Sequence, residues 1–426
     1  MKWKISPSRL RGDIAIPPSK SHTIRAILVA ALAEGISRIG KPLLSGDGRS
    51  AMIAARSLGA TVQEEDGNLT VQGIGMHYEG GDELFDMGNS GTGTNLFMAA
   101  AALGTRLRRF DGDASLRSRP FRPLLCALEK LGAFFSIDAE ASMDLPFIIR
   151  GPLRGGKTTV SGASSQFVSS LLFVAPILKE NSEIIVENLQ EKPYVELTLW
   201  WLRKQGIRLD YSDDLSHFWV QGGQAYSAFD REIPADFSSA AFAACAGAMN
   251  KTGLRLTGLD FSDQQGDKGI FEVLGRMGAV ITRDAGSVII ARKGALKGFS
   301  VDLNAMPDTL PALSVVACAA EGETRISNVA QARIKETDRI AVMREELSKM
   351  GADITEQKDG LIIRGRRLHG VLVDGHNDHR VVMALAIAGM AAEGDTIIEG
   401  AEAAAVTYPG FADDFRRLGA KIAIVE

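Results

Sequence analysis

A tripeptide that returns at intervals of roughly 70 residues constrains this chain more than any other feature. Leu58-Gly59-Ala60, Leu131-Gly132-Ala133, Met277-Gly278-Ala279, Met350-Gly351-Ala352 and Leu418-Gly419-Ala420 each close a helical pattern, and the degenerate Gln205-Gly206-Ile207 fills the remaining interval. An amphipathic helix that stops at glycine can place that residue in the left-handed conformation needed to turn the chain. A strand then follows at once, as in ATVQE, AFFSI, IRLDY, AVITR and ADITE. A polar turn and a second short strand come next (LTVQG, FIIRG, FWVQG, LIIRG). Alternation and β-branched residues in these windows favour strand over helix.

Each repeat carries a second helix of another kind. A short strand enters a polar loop, which opens an apolar helix rich in small residues, as in IAIPPSKSHTIRAILVAALA and LVDGHNDHRVVMALAIAGMAA. Helices apolar all round are buried, so six of them form the interior and the amphipathic set lies outside. The sixth repeat ends at Ile422 to Glu426, one strand short, and Trp3 to Ser6 near the start of the chain can supply it. The reading is an α/β protein of six βαβαββ-type units, three per domain. One domain comprises residues 19–232; the other comprises 1–18 with 233–426, completed by the N-terminal strand. The crossings fall at Pro17-Pro18 and between Glu232 and Asp236.

Bulk properties agree. A chain of 426 residues exceeds what one hydrophobic core supports. A formal charge of -4 gives no basic surface for nucleic acid or membrane. Cys126, Cys245 and Cys318 sit among apolar residues without metal spacing and read as buried free thiols of a reducing compartment. The N-terminal segment has no signal-peptide core, and the longest apolar run, Val381 to Ala392, is too short to span a bilayer. The expectation is a cytoplasmic protein that binds neither membrane nor nucleic acid.

The loops that open the apolar helices carry the chemistry. A helix start offers unpaired N–H groups and about half a positive charge, a seat for phosphate or carboxylate. Lys20, between Ser19 and Ser21 and close before a second cation at Arg25, stands where the helix dipole disfavours it, so a ligand anion explains it better than structure does. Gly88 to Gly93 (GNSGTG) lets backbone approach a ligand, and Arg119 can clamp a carboxylate or phosphate. Ser164-Ser165-Gln166 and Asp308 open two further helices, where simple capping is the plainer reading of each alone. Lys335-Glu336-Thr337-Asp338-Arg339 mixes a potential acid or base with cations, and His379-Arg380 enters an apolar helix at a desolvation cost that partners or ligand must offset.

Taken in order, PSKSHTIRA, GNSGTG, LRSRP, SSQF, KPYVELTL, QGDKG, PDTLP, KETDRI and NDHR resemble the enolpyruvyl transferase family across almost the whole chain, in particular the branch acting on shikimate 3-phosphate. The resemblance implies a two-domain inverse α/β barrel with its active site in the cleft between domains. It implies a monomer with two substrates, phosphoenolpyruvate and shikimate 3-phosphate, and no metal or organic cofactor. It implies that Lys20, Gly91, Arg119, Gln166, Arg339, His379 and Arg380 surround phosphoenolpyruvate. It gives the acceptor to Ser21, Arg25, Ser164, Ser165, Gln166, Tyr194, Asp308, Gln331 and Lys335. Asp308 then takes the hydroxyl proton, Glu336 exchanges the proton at C3, and Lys20 assists at the leaving group.

Four positions depart from the family pattern: Asn95 for an arginine, Gln331 for an asparagine, Val406 for a lysine and Glu191 for a serine at the acceptor phosphate. A carboxylate about 4 Å from a phosphate costs roughly 4 kcal/mol per unit charge at intermediate dielectric. The expectation is that Glu191 turns away to pair with a cation such as Lys192. The alternative is a paralogue acting on a different, unphosphorylated acceptor.

Overall fold

The computed structural model describes residues 1–425, which form two compact units. One is Pro18–Ile233; the other combines Met1–Pro17 with the chain from Pro234 onward. In the first, the buried helices are α1 (Lys20–Leu32), α2 (Gly91–Ala101) and α3 (Ser165–Val174). In the second they are α4 (Phe237–Met249), α5 (Leu310–Cys318) and α6 (His379–Ala391). Nearly every residue of these helices is buried, so the helices form the core. Three four-stranded sheets accompany them in each unit, an α/β barrel turned inside out.

The recurrent glycines do what their position requires. Gly59, Gly132, Gly206, Gly278, Gly351 and Gly419 take φ of 110°, 98°, 71°, 104°, 89° and 103°. The next N–H reaches back to a helix carbonyl: Ala60 to Ala55 at 3.0 Å, Ala133 to Leu128 at 3.1 Å, Ala420 to Phe415 at 2.8 Å. This bond closes the Schellman motif, which a Cβ at the glycine would strain.

Within a repeat, the strand entering a buried helix pairs in parallel with the strand leaving it. Leu84–Asp86 beside Arg108–Asp111 and Leu372–Asp374 beside Thr396–Glu399 are examples. The first repeat of each unit breaks this rule. Asp13–Ala15, which leads into α1, pairs with Leu254–Thr257, which follows α4. Asp230–Glu232, which leads into α4, pairs with Ile36–Gly40, which follows α1. The two entering strands are exchanged: each stays in the sheet of one unit while the helix it leads into belongs to the other. Lys2–Ser6 lies between Thr396–Glu399 and Lys421–Val425, antiparallel to both, and supplies the strand that the sixth repeat lacks. Its Trp3 is buried and stacks on Phe411 at 5.8 Å.

No helix among the described residues is long and apolar enough to cross a membrane. Cys245 and Cys318 are buried free thiols, and burial pushes Cys318 up to about 12. Cys126 is only half-buried, because its helix, Arg122–Glu129, is amphipathic and turns that position toward the surface.

Candidate active site

In Pro18–Ile233 the starts of α1, α2 and α3 are bonded to one another. Ser19 caps α1 by accepting from the His22 N–H, and Ser90 caps α2 by accepting from Gly93 at 3.0 Å. Lys20 is buried at the first turn of α1, with Nζ 3.4 Å from the Asp47 carboxylate, which also accepts the Ser90 hydroxyl. Asp47 thus offsets the unfavourable dipole at Lys20 and ties α1 to α2. Nothing in the loop SGDG marks Asp47 for this part, since an aspartate there reads as an ordinary turn residue.

Arg119 packs on the start of α2. A Cβ on Gly91 would stand 2.5 Å from Arg119 Nη1, so a larger residue there would push the guanidinium aside. Arg119 Nη2 donates to Asn89 Oδ1 at 2.6 Å, while its buried Nε has no hydrogen-bond partner among the described residues. Gln166 Nε2 donates to Thr92 Oγ1 at 3.1 Å, and its Oε1 accepts from Asn95 at 2.8 Å. Asn95, where the family usually has arginine, therefore sets the orientation of the Gln166 amide.

Arg25 is fully buried. It donates to the carbonyls of Ser21 (3.0 Å) and Tyr194 (3.1 Å) and to the hydroxyls of Thr198 (3.0 Å) and Ser169 (3.5 Å). Burial lowers its pKa to about 10, against a smaller opposing effect of Tyr194. With its donors directed to protein acceptors, Arg25 organises Ser21 and Tyr194. Ser164 caps α3 by accepting from Gln166 N at 3.3 Å. Ser165 Oγ donates to Glu191 Oε2 at 2.8 Å. Glu191 is 1% exposed and lies at φ 55°, and through Ser165 its carboxylate meets the start of α3. The left-handed backbone just ahead of the helix Lys192–Lys204 directs the side chain inward.

In the other unit a guanidinium gathers three carboxylates. Arg339, 1% exposed, donates to Asp308 Oδ1 at 2.8 Å, Glu336 Oε2 at 2.6 Å and Asp378 Oδ2 at 2.7 Å. Burial opposes its charge, but Asp378, Glu336 and Asp308 more than compensate and hold its pKa above the ordinary arginine value. Asp378 is itself wholly buried; burial would raise its pKa, and Arg339 reverses this to a net lowering. Asp378 also caps α6 through the Arg380 N–H at 2.8 Å.

Arg380 Nη2 donates to Asp308 Oδ2 at 2.8 Å, so both oxygens of Asp308 are held by cations. The remaining nitrogens of Arg380, Nε and Nη1, are buried without a hydrogen-bond partner among the described residues. His379 is buried beside Asp378, with Nδ1 3.9 Å from the carboxylate. Gln331 is buried and donates to the Asn304 carbonyl at 3.2 Å; Lys335 is half-buried next to Glu336. Asp267, from the motif QGDKG, accepts the Ser238 hydroxyl. Burial, then the charge of Asp308, pushes it up to about 7.

The structure thus brings Lys20, Ser21, Gly91, Arg119, Ser164, Ser165, Gln166 and Tyr194 to the helix starts of one unit. Asp308, Gln331, Lys335, Glu336, Arg339, His379 and Arg380 lie at those of the other. Asp47, Asp267 and Asp378 are additions. Asp378 carries a sequence signal as the N-cap of NDHR and Asp267 as a member of QGDKG; Asp47 carries none beyond membership of a polar loop.

Each unit is an inside-out α/β barrel whose buried helix starts present cations and hydroxyls, the architecture of a protein that grips small polyanions. The family model for EPSP synthase (3-phosphoshikimate 1-carboxyvinyltransferase) matches residues 5–415, and the chain belongs to that family. It is 47% identical to the 3-phosphoshikimate 1-carboxyvinyltransferase of Acetivibrio thermocellus, covering 100% of both chains. It is 41% identical to that of Methanocaldococcus jannaschii, covering 98% of this chain and 97% of the relative. The structure of EPSP synthase from Acinetobacter baumannii superposes with a TM-score of 0.82 at 28% identity, covering 99% of this chain and 100% of that one.

Proposed function

We propose that this protein transfers the enolpyruvyl group of phosphoenolpyruvate to the 5-hydroxyl of shikimate 3-phosphate and releases phosphate, a step of the shikimate pathway toward aromatic amino acids. The observation that carries the reading is Arg380. It is 1% exposed, yet two of its three nitrogens lack a partner. A buried donor left unpaired costs about 1–3 kcal/mol, a cost that a bound anion would remove. Arg119 Nε stands in the same condition in the other unit.

The two compact units act as the two domains of the enzyme. Lys20, Gly91, Arg119, Gln166, Arg339, His379 and Arg380 hold phosphoenolpyruvate. Ser21, Ser164, Ser165, Gln166, Tyr194, Asp308, Gln331 and Lys335 hold the acceptor, with Arg25 fixing Ser21 and Tyr194 from behind. The cations cancel repulsion between two anionic reactants and hold the reacting carbons together. Attack of the 5-hydroxyl on C2, with protonation at C3, gives a tetrahedral ketal that then loses phosphate. Asp308 accepts the hydroxyl proton, and Glu336 serves C3. Both carboxylates share Arg339, so an anionic substrate that engages Arg339 or Arg380 loosens their ion pairs and raises their basicity. Lys20 protonates the leaving group. The enzyme works as a monomer in the cytoplasm.

The test is phosphate release with phosphoenolpyruvate plus shikimate 3-phosphate, beside unphosphorylated shikimate. Release that requires the phosphorylated acceptor supports the reading. Release with shikimate alone would move the chain to a different acceptor, and no release with either would overturn the assignment.

A further inference from the structure

The central helices of the unit that contains Arg339 converge at both ends. Their starts meet at Asp308 and Arg380. At the far ends Met249 closes α4, Cys318 closes α5 and Ala391 closes α6, and all three line a basin of 1080 Å³. These helices measure about 14–20 Å, which separates the basin from the catalytic carboxylates.

The floor is apolar, formed by Met249, Val315, Ile387 and Met390. The rim is cationic: Arg9, Lys251, Arg292, Arg366 and Arg367 line it, with Glu321 and Glu393 as counter-charges. Arg367 pairs with Glu393 at 2.7 Å, and Arg292 donates to the Gly294 carbonyl at 2.8 Å. Arg9, Lys251 and Arg366 are exposed and make no side-chain hydrogen bond or ion pair among the described residues.

Complementing the helix dipoles does not use up this charge. Three C-terminal ends together carry about -1.5 charges. Five cations against two carboxylates leave a positive surplus of about one and a half units beyond that.

The matching position in the other unit holds a larger side chain. In the other unit Tyr226 precedes Ser227, which bridges to Glu34, just as Leu368 precedes His369, which bridges to Glu393. Tyr226 is 1% exposed, and its hydroxyl donates 2.7 Å to the Phe173 carbonyl near the end of α3. A buried ring fills that site, whereas Leu368 lines the basin.

We infer that this basin binds a small amphipathic anion: a ring-sized apolar body resting on Met249, Val315, Ile387 and Met390, with a carboxylate held by Arg9, Lys251 and Arg366. At 1080 Å³ the basin exceeds the usual size of ligand pockets and leaves room for such a molecule.

The experiment is calorimetric titration of the full-length protein with 1-naphthoate and with the uncharged 1-naphthamide. Wild type should bind naphthoate saturably, about tenfold or more tighter than naphthamide. Leu368→Tyr should weaken that binding about tenfold or more by setting a ring over part of the apolar floor. The double variant Arg9→Glu with Arg366→Glu should weaken it about tenfold or more. Both arginines are exposed, so this variant keeps the test alive if Leu368→Tyr fails to fold; unfolding midpoints report which variants are native. Three results would overturn the proposal: no saturable naphthoate binding by wild type, equal affinity for the amide, or an affinity unchanged in the native variants.

Discussion

Glu191→Gln separates two accounts of acceptor binding. The Ser165 hydroxyl is directed at the Glu191 carboxylate, 2.8 Å away. A phosphate accepting from that same hydroxyl would stand about 4 Å from the carboxylate, a repulsion of roughly 4 kcal/mol per unit charge at an effective dielectric of 20. A phosphate monoester carries about -1.5 to -2 charges, so the full repulsion is about 6–8 kcal/mol. Releasing the hydrogen bond from Ser165 to a charged partner costs only about 1.5–3 kcal/mol. The smaller cost wins, so the carboxylate should leave Ser165 when the acceptor phosphate arrives. The amide keeps the shape and an accepting oxygen, but its neutral bond is worth about 1 kcal/mol. Glu191→Gln should therefore strengthen acceptor binding by about 0.5–2 kcal/mol, a fall in KM for shikimate 3-phosphate of about two- to thirtyfold. KM for phosphoenolpyruvate should not move. Initial rates of phosphate release, with each substrate varied in turn, provide the measurement. An unchanged or raised acceptor KM would refute the reasoning and remove Ser165 from the phosphate seat.

Arg339→Ala leaves Asp308, Glu336 and Asp378 without their shared cation and should cost about 3–5 kcal/mol in denaturant unfolding; Arg339→Lys should not restore it, because an ammonium cannot reproduce the fork. Asp308→Asn and Glu336→Gln should lower turnover far more than substrate affinity, and steady-state kinetics with unchanged turnover would take them out of the mechanism. Asp267 keeps its proton to about pH 7 when folded, whereas the unfolded chain releases it near 3.8. The folded state binds more protons between these values, so stability should fall as pH rises through that window. Asp267→Asn should flatten this slope in unfolding free energies measured from acid to neutral pH, and a slope unchanged in the variant would disprove the assignment. Trp3→Ala should cost about 3–5 kcal/mol, because it empties a buried stacking site in the strand that completes the sixth sheet; a loss under about 1 kcal/mol in urea titration would count against it.

Much of this molecule is legible from local patterns. The six repeats, their glycine stops and the all-apolar helices follow from short-range stereochemistry and burial, which neighbouring residues encode. The missing strand of the sixth repeat points to Trp3–Ser6, since an unpaired sheet edge has to be met by some segment. The site residues on helix starts are visible for the same reason: capping and dipole effects act within one turn.

What residue order does not carry is which partner each polar group meets across the fold. The crossings at Pro17-Pro18 and between Glu232 and Asp236 leave Asp13–Ala15 and Asp230–Glu232 each in the unit before its crossing, but nothing within these three-residue strands names the strand each pairs with there. Asp47 and Lys20 are 27 positions apart, and Asp308 and Arg380 are 72; packing alone makes them neighbours. Glu191 shows the difference most clearly. Its charge suggests pairing with a cation such as Lys192, whereas the fold buries it and brings its carboxylate to the Ser165 hydroxyl. Charge is a property of the residue, whereas its burial and its partner belong to the folded chain.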